Sequence, residues 1–262
     1  MPDGLVAAGK IALIVIVGFP LLMYLAQDSL IFHPQPLAAA QRERIAAQRP
    51  GVESLFIDAA DGTRLHAWHV KGDPLVMYFG GNAEEVSWML EHAARRTPGT
   101  GWLLVDYRGY GASGGSPSEA ALVRDALQWY DSISKNYQAV FVFGRSLGSG
   151  VAVQLAAQRP TAGVILVAPF DSLVEVGKRH YPFLPVDWML KHRFDSAALA
   201  PQIGAPLLCI VAMSDDIIPA VHSQRLYDAW RGPKRWIGLD GAGHNSTDDA
   251  ASYWTSIVAF LK

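Results

Sequence analysis

Cysteine is all but missing: Cys209 is the only one in 262 residues. A single thiol builds neither a disulfide framework nor a Cys-based metal site, and inside the apolar run Leu207-Leu208-Cys209-Ile210-Val211 it reads as a buried, inert side chain. Charge of one sign is lacking too. Twenty-two Lys and Arg stand against 24 Asp and Glu, a formal net charge of −2 with no basic stripe, which argues against a nucleic-acid partner. The chain has no H-E-x-x-H and no Cys pair, so no metal is expected, and neither an internal repeat nor a low-complexity segment appears.

What is abundant is apolar residues, half of the chain. That is enough to bury the core of one large α/β domain. From Leu5 to Ala26 the sequence is apolar except for Lys10, and ~20 such residues in a helix match the thickness of a bilayer's hydrocarbon layer. Residues 1–28 therefore read as an N-terminal membrane anchor, single-pass and uncleaved, since Tyr24 stands where a signal peptidase wants a small residue. Residues 29–50, with Pro34, Pro36 and a short Ala/Gln/Arg stretch, read as a linker.

From residue 51 onward strand and helix patterns alternate, the signature of a mainly parallel sheet covered on both faces. Ser54 to Ile57 and Arg64 to Val70 alternate around Asp61-Gly62, which predicts an antiparallel hairpin at the start. Further strands are expected at 75–79, 102–106, 139–143, 164–168, 207–213 and 235–239. Helices are expected at 84–95, 118–134, 147–158, 221–230 and about 247–261. The interval 171–205, rich in Pro and aromatics and without a strand, is too long for a plain connection and reads as a cap insertion.

The densest chemistry lies in Phe141 to Gly150, where Gly144, Ser146 and Gly148 spell G-x-S-x-G between a predicted strand and a predicted helix. A serine on such a turn is a nucleophile candidate, and it needs a base and an acid at neighbouring strand ends. Of the eight histidines, only His244, in Gly241-Ala242-Gly243-His244-Asn245, directly follows a strand. His66 and His69 share a strand on opposite faces; His92 and His222 fall in predicted helices as solvated residues; His33 lies in the linker and His180 and His192 in the insertion. The acid is Asp215 or Asp216, in Ser214-Asp215-Asp216-Ile217-Ile218-Pro219. Backbone N–H donors for an oxyanion are expected from Leu147 and from Asn82 in the Gly80-Gly81-Asn82-Ala83 loop. Gly109-Tyr110-Gly111-Ala112-Ser113-Gly114 has dinucleotide-loop spacing, but Pro117 precedes its helix and no strand-end acid follows, so no nucleotide cofactor is expected.

Together these residues resemble the alpha/beta hydrolase superfamily, and more narrowly the single-pass, membrane-anchored serine hydrolases of the bud-emergence type. The matching stretches are Ser29-Leu30-Ile31-Phe32-His33-Pro34, Tyr78-Phe79-Gly80-Gly81-Asn82-Ala83, Asp106-Tyr107-Arg108-Gly109-Tyr110-Gly111, Gly144-Arg145-Ser146-Leu147-Gly148, Asp215-Asp216-Ile217-Ile218-Pro219 and Gly243-His244-Asn245. The resemblance implies an alpha/beta hydrolase fold with a small cap and a Ser146, Asp215, His244 triad, the acid standing four residues before Pro219. It implies hydrolysis of an ester, thioester or amide of a small or lipid-like acyl substrate, without a cofactor. Two departures accompany it: Gly80 stands where the family usually has His, and the N-terminal cysteine cluster of its protein-depalmitoylating members is missing. An aminopeptidase, which would use an acid such as Glu175 or Asp187 to hold a substrate amine, and a non-catalytic binding scaffold are the competing readings.

Overall fold

Short runs of apolar residues with no polar interruption suit strands sealed on both faces, and four of them form the middle of one sheet. Every residue of β3 (Leu75–Phe79), β4 (Gly101–Val105), β6 (Gly163–Val167) and β7 (Leu207–Ala212) is buried. The computed structural model describes residues 4, 7, 10–11 and 14–262. With β1 (Val52–Asp58), β2 (Arg64–Val70), β5 (Val140–Arg145) and β8 (Lys234–Leu239), these strands make an eight-stranded sheet in the order β1-β2-β4-β3-β5-β6-β7-β8. The β1–β2 and β2–β4 pairs are antiparallel and all others parallel. Gly62 turns the first hairpin at positive φ.

Successive side chains leave a strand on opposite faces, so each strand feeds two cores. Met77 and Phe79 join Leu103, Val142 and Leu166 on one face, against α4 (Glu119–Ile133), α5 (Leu147–Ala156) and α9 (Ala220–Ala229). Val76 and Tyr78 join Trp102, Phe143 and Ile165 on the other, against α3 (Met89–Arg96) and α10 (Ala251–Phe260). Between β6 and β7 the chain makes three short helices, α6 (Leu173–His180), α7 (Val186–Met189) and α8 (Ser196–Leu199).

Three local expectations are corrected. The helix expected from residue 84 begins only at Met89, after a 3-10 turn at Val86–Trp88, because the Glu84 side chain is turned inward and Ala83 takes a positive φ. The last helix is interrupted at Ala250, extended at ψ 131°, between a 3-10 turn and α10. His222 is not solvated: it is buried, with Nδ1 2.9 Å from Oδ1 of Asp171.

Before the sheet lie α1 (Phe19–Ile31) and α2 (Ala39–Gln48). The segment joining them is fastened to the domain: Phe32 and Leu37 are buried, Gly111 N–H donates to Gln35 O and Leu37 N–H to Gly111 O. Part of the stretch expected as an anchor, including residues 5, 6, 8, 9, 12 and 13, lies outside the described residues. Among the described residues no helix is long and apolar enough to cross a membrane.

Candidate active site

Three loops at the C-terminal edge of the sheet meet over Ser146. The serine sits at φ 51°, ψ −118°, between β5 and α5, a conformation that non-glycine residues avoid. What holds it there is close backbone packing. A Cβ on Gly144 would lie 2.3 Å from Gly148 O, and one on Gly148 would lie 2.0 Å from Phe79 O, so both positions exclude every other residue. Ser146 N–H donates to Val167 O, and Ser146 O accepts from both the N–H and the hydroxyl of Ser149.

His244 arrives on the loop after β8 and Asp215 on the loop after β7, and Ser214 N–H to Ala242 O ties the two loops together at 2.9 Å. His244 Nδ1 is 2.7 Å from Asp215 Oδ2, and His244 Nε2 is 2.8 Å from Ser146 Oγ. A carboxylate only accepts, so Nδ1 carries the ring proton and Nε2 faces the serine hydroxyl as an acceptor. Asp215 Oδ1 accepts from the N–H groups of Ile217 and Ile218 at 2.9 and 2.8 Å, which fixes the carboxylate plane. Asp216 is exposed, so geometry chooses Asp215 from the adjacent pair.

Asn82 is oriented by its own side chain. Its Oδ1 accepts from the N–H groups of His33 and Ala83 and from the Tyr110 hydroxyl, at 2.9 to 3.0 Å. Burial pushes the Tyr110 phenol up to about 12, so it remains a donor. The G-x-G-x-x-G stretch is thus a brace for the Asn82 loop, through Tyr110 and through Gly111's bonds to residues 35 and 37. Asn82, Ser146 and Leu147 line one cavity, and among the described residues neither the Asn82 nor the Leu147 N–H has a protein acceptor.

One cluster carries no motif in the sequence. Glu84 is buried beneath the oxyanion loop and accepts from Gly81 N–H at 2.6 Å, Tyr78 hydroxyl at 2.5 Å, Trp88 Nε1 at 2.9 Å and Arg145 Nη1 at 2.9 Å. Arg145, the residue before the serine, reaches onward to His244 O at 3.4 Å and Asn245 Oδ1 at 3.1 Å. The pair therefore links the oxyanion loop, the serine turn and the His244 loop. Burial disfavours the Arg145 charge more than any single neighbour favours it, but Glu84, Tyr78 and Tyr253 together outweigh it and raise the guanidinium above its ordinary range. Gly80 is what admits Glu84: a Cβ there would meet Val86 Cγ1 at 2.8 Å and Glu84 Cδ at 3.1 Å, so a histidine at this position would collide with the buried carboxylate.

The cavity above Ser146 has a volume of about 290 Å³. Its walls are mainly apolar side chains of α1, of the segment 173–190 and of the loop carrying Ile217 and Ile218, with Gln27 and His180 among them, and no Asp, Glu, Lys or Arg lines it among the described residues. Glu175 and Asp187 are engaged by Lys178 at 2.9 and 2.8 Å instead.

Comparison with known proteins bears on the family and the fold. Residues 71–194 match the family described as "Serine aminopeptidase, S33". The uncharacterized protein Rv2307c of Mycobacterium tuberculosis is 38% identical over 250 residues, 91% of this chain and 88% of that protein. The alpha/beta hydrolase domain-containing protein WAV2 of Arabidopsis thaliana is 26% identical over 282 residues, 95% of this chain and 91% of its own. The esterase Pf2001 of Pyrococcus furiosus superposes with a TM-score of 0.67 at 17% identity, over 88% of this chain and 96% of the esterase, which is a likeness of fold.

Proposed function

The chain belongs to the alpha/beta hydrolase family, and from that premise we propose that it is a membrane-tethered serine hydrolase that cleaves ester or thioester bonds of apolar acyl substrates. The observation that carries this reading is the Ser146–His244–Asp215 chain of 2.8 and 2.7 Å contacts on the floor of an apolar cavity.

The chemistry follows from the geometry. His244 Nε2 takes the Ser146 proton as Oγ attacks the acyl carbonyl, and the Asn82 and Leu147 amides stabilise the oxyanion. Collapse breaks the bond to the leaving group, which receives the proton from His244 and departs as alcohol or thiol. Water then loses a proton to His244, its oxygen attacks the acyl-enzyme, and Ser146 recovers the proton as the acid is released. Asp215 holds the ring's orientation and stabilises the imidazolium in both half-reactions.

The aminopeptidase reading is less favoured, because a substrate ammonium would enter a mainly apolar cavity lined by no acid, and the insertion's Glu175 and Asp187 are paired with Lys178. A non-catalytic scaffold would not require Ser146 to be held in a strained backbone conformation. The tether is supported by the exposed apolar side chains Ile11, Ile14, Ile16, Leu21, Leu22 and Leu25. The reading is tested on detergent-solubilised full-length protein with p-nitrophenyl esters of increasing chain length beside an aminoacyl anilide. Ester turnover that rises with acyl length supports it, and turnover of the anilide alone overturns it.

A further inference from the structure

One wall of the acyl cavity comes from outside the catalytic core. Met23, Leu30 and Ile31 of α1 line it opposite the insertion, more than 110 residues before Ser146 in the chain. The helix is held there by a polar clamp. Gln27, 5% exposed in a mostly apolar helix, donates from Nε2 to Met189 O at 3.1 Å and Tyr24 O at 2.8 Å, and its Oε1 accepts from Lys191 N–H at 2.7 Å. One residue on, Asp28 Oδ1 lies 2.9 Å from His192 Nε2, and the buried Phe32 ring meets the His192 ring edge-on at 4.9 Å. His33 N–H then reaches Asn82 Oδ1, so the segment after α1 also braces the oxyanion loop.

A helix serving only as a tether needs none of this. A buried amide whose donor and acceptor are both matched to backbone groups 162 and 164 residues away fixes the helix at one rotation and one height, because any slippage leaves those backbone groups unpaired. The fixed rotation is the one that turns Met23, Leu30 and Ile31 to the cavity.

We propose that α1 is the acyl-length selector of this active site, its Met23, Leu30 and Ile31 side chains forming the wall along which the substrate's acyl chain lies and setting how many carbons it accepts. This rests on the serine hydrolase reading and adds to it that the N-terminal helix is part of the site. Each methylene packed against that wall instead of water strengthens binding about fourfold, so the selector acts on kcat/KM in steps per carbon.

Leu30 is the position to vary, because at 49% exposure it accepts either a larger or a smaller side chain without disturbing the core. The ratio of kcat/KM for p-nitrophenyl octanoate to that for the acetate is measured on full-length protein in detergent. Leu30→Trp fills the wall and lowers the ratio tenfold or more. Leu30→Ala opens it and moves the preferred ester to longer chains, the opposite direction, which a general loss of structure does not produce. Gln27→Ala, which frees the helix, flattens the dependence on chain length. Ratios within twofold of wild type in all three variants, or Leu30→Trp and Leu30→Ala moving the preference the same way, overturn the proposal. Failure of the underlying reading looks different: ester hydrolysis then survives Ser146→Ala.

Discussion

Replacing Glu84 by glutamine removes one acceptor oxygen from a group whose four partners, Gly81 N–H, the Tyr78 hydroxyl, Trp88 Nε1 and Arg145, all donate. Whichever way the amide is turned, its NH₂ faces two donors, and Arg145 loses its countercharge. Both side chains are shielded, at 6% exposure for Glu84 and 15% for Arg145, so water compensates poorly. Breaking a buried pair of this kind destabilises by about 3–5 kcal/mol, which in a chain of this size lowers Tm by roughly 10 °C. Activity should fall further than stability alone explains. Gly81 precedes Asn82, and a loop freed from Glu84 no longer holds the Asn82 N–H where the oxyanion forms. Since loss of one oxyanion donor lowers kcat by about 100- to 1,000-fold, partial misplacement in Glu84→Gln should lower kcat by about 10- to 100-fold with KM nearly unchanged. Thermal unfolding and ester kinetics below the new Tm measure the two effects separately. A variant with wild-type Tm and wild-type kcat would refute the bridging role of this pair.

Asp215→Asn should lower kcat/KM by about 10⁴-fold, as removal of the orienting acid does in comparable triads, while Asp216→Asn, at an exposed position, should stay within a fewfold of wild type; equal losses in the two variants would contradict the assignment. Arg108 holds the Asp61 carboxyl well below the usual carboxylate range, so that ion pair contributes stability at neutral pH that fades as pH falls from about 4 through the depressed value. The Tm difference between wild type and Asp61→Asn should therefore shrink on acidification, and a gap that persists unchanged at low pH would be inconsistent with it. Burial pushes the Cys209 thiol far above its ordinary range, and the side chain is fully enclosed, so a thiol reagent should modify it only on unfolding; rapid modification of the native protein would count against the placement of β7.

Much of the sheet was readable from its residues because parallel strands sealed on both faces are written as unbroken apolar runs, as at 75–79 and 163–167. The serine turn was readable for a related reason: Gly144 and Gly148 sit where another backbone leaves no room for a Cβ, and that requirement shows as a spacing. The choice between Asp215 and Asp216 was not, since adjacent residues at a strand end differ only in which way the loop turns them. Nor was the Glu84–Arg145 pair, which joins positions 61 residues apart, although a glycine at 80 beside an acid at 84 was its trace. The N-terminal helix is ambiguous by its nature. Apolar residues suit both a bilayer and an acyl cavity, and only the isolated Gln27 and Asp28 hint that part of this helix packs on protein. His222, assigned to solvent from its helix, shows the same limit, because its partner Asp171 lies 51 residues away.

The central claim is that position 146 carries the nucleophile. Treating the full-length protein with a fluorophosphonate probe and mapping the adduct by peptide mass spectrometry tests it directly. One adduct is expected, on Ser146, lost in Ser146→Ala and strongly slowed in His244→Ala. Labelling of Ser146→Ala equal to wild type, or an adduct on another side chain, would contradict it.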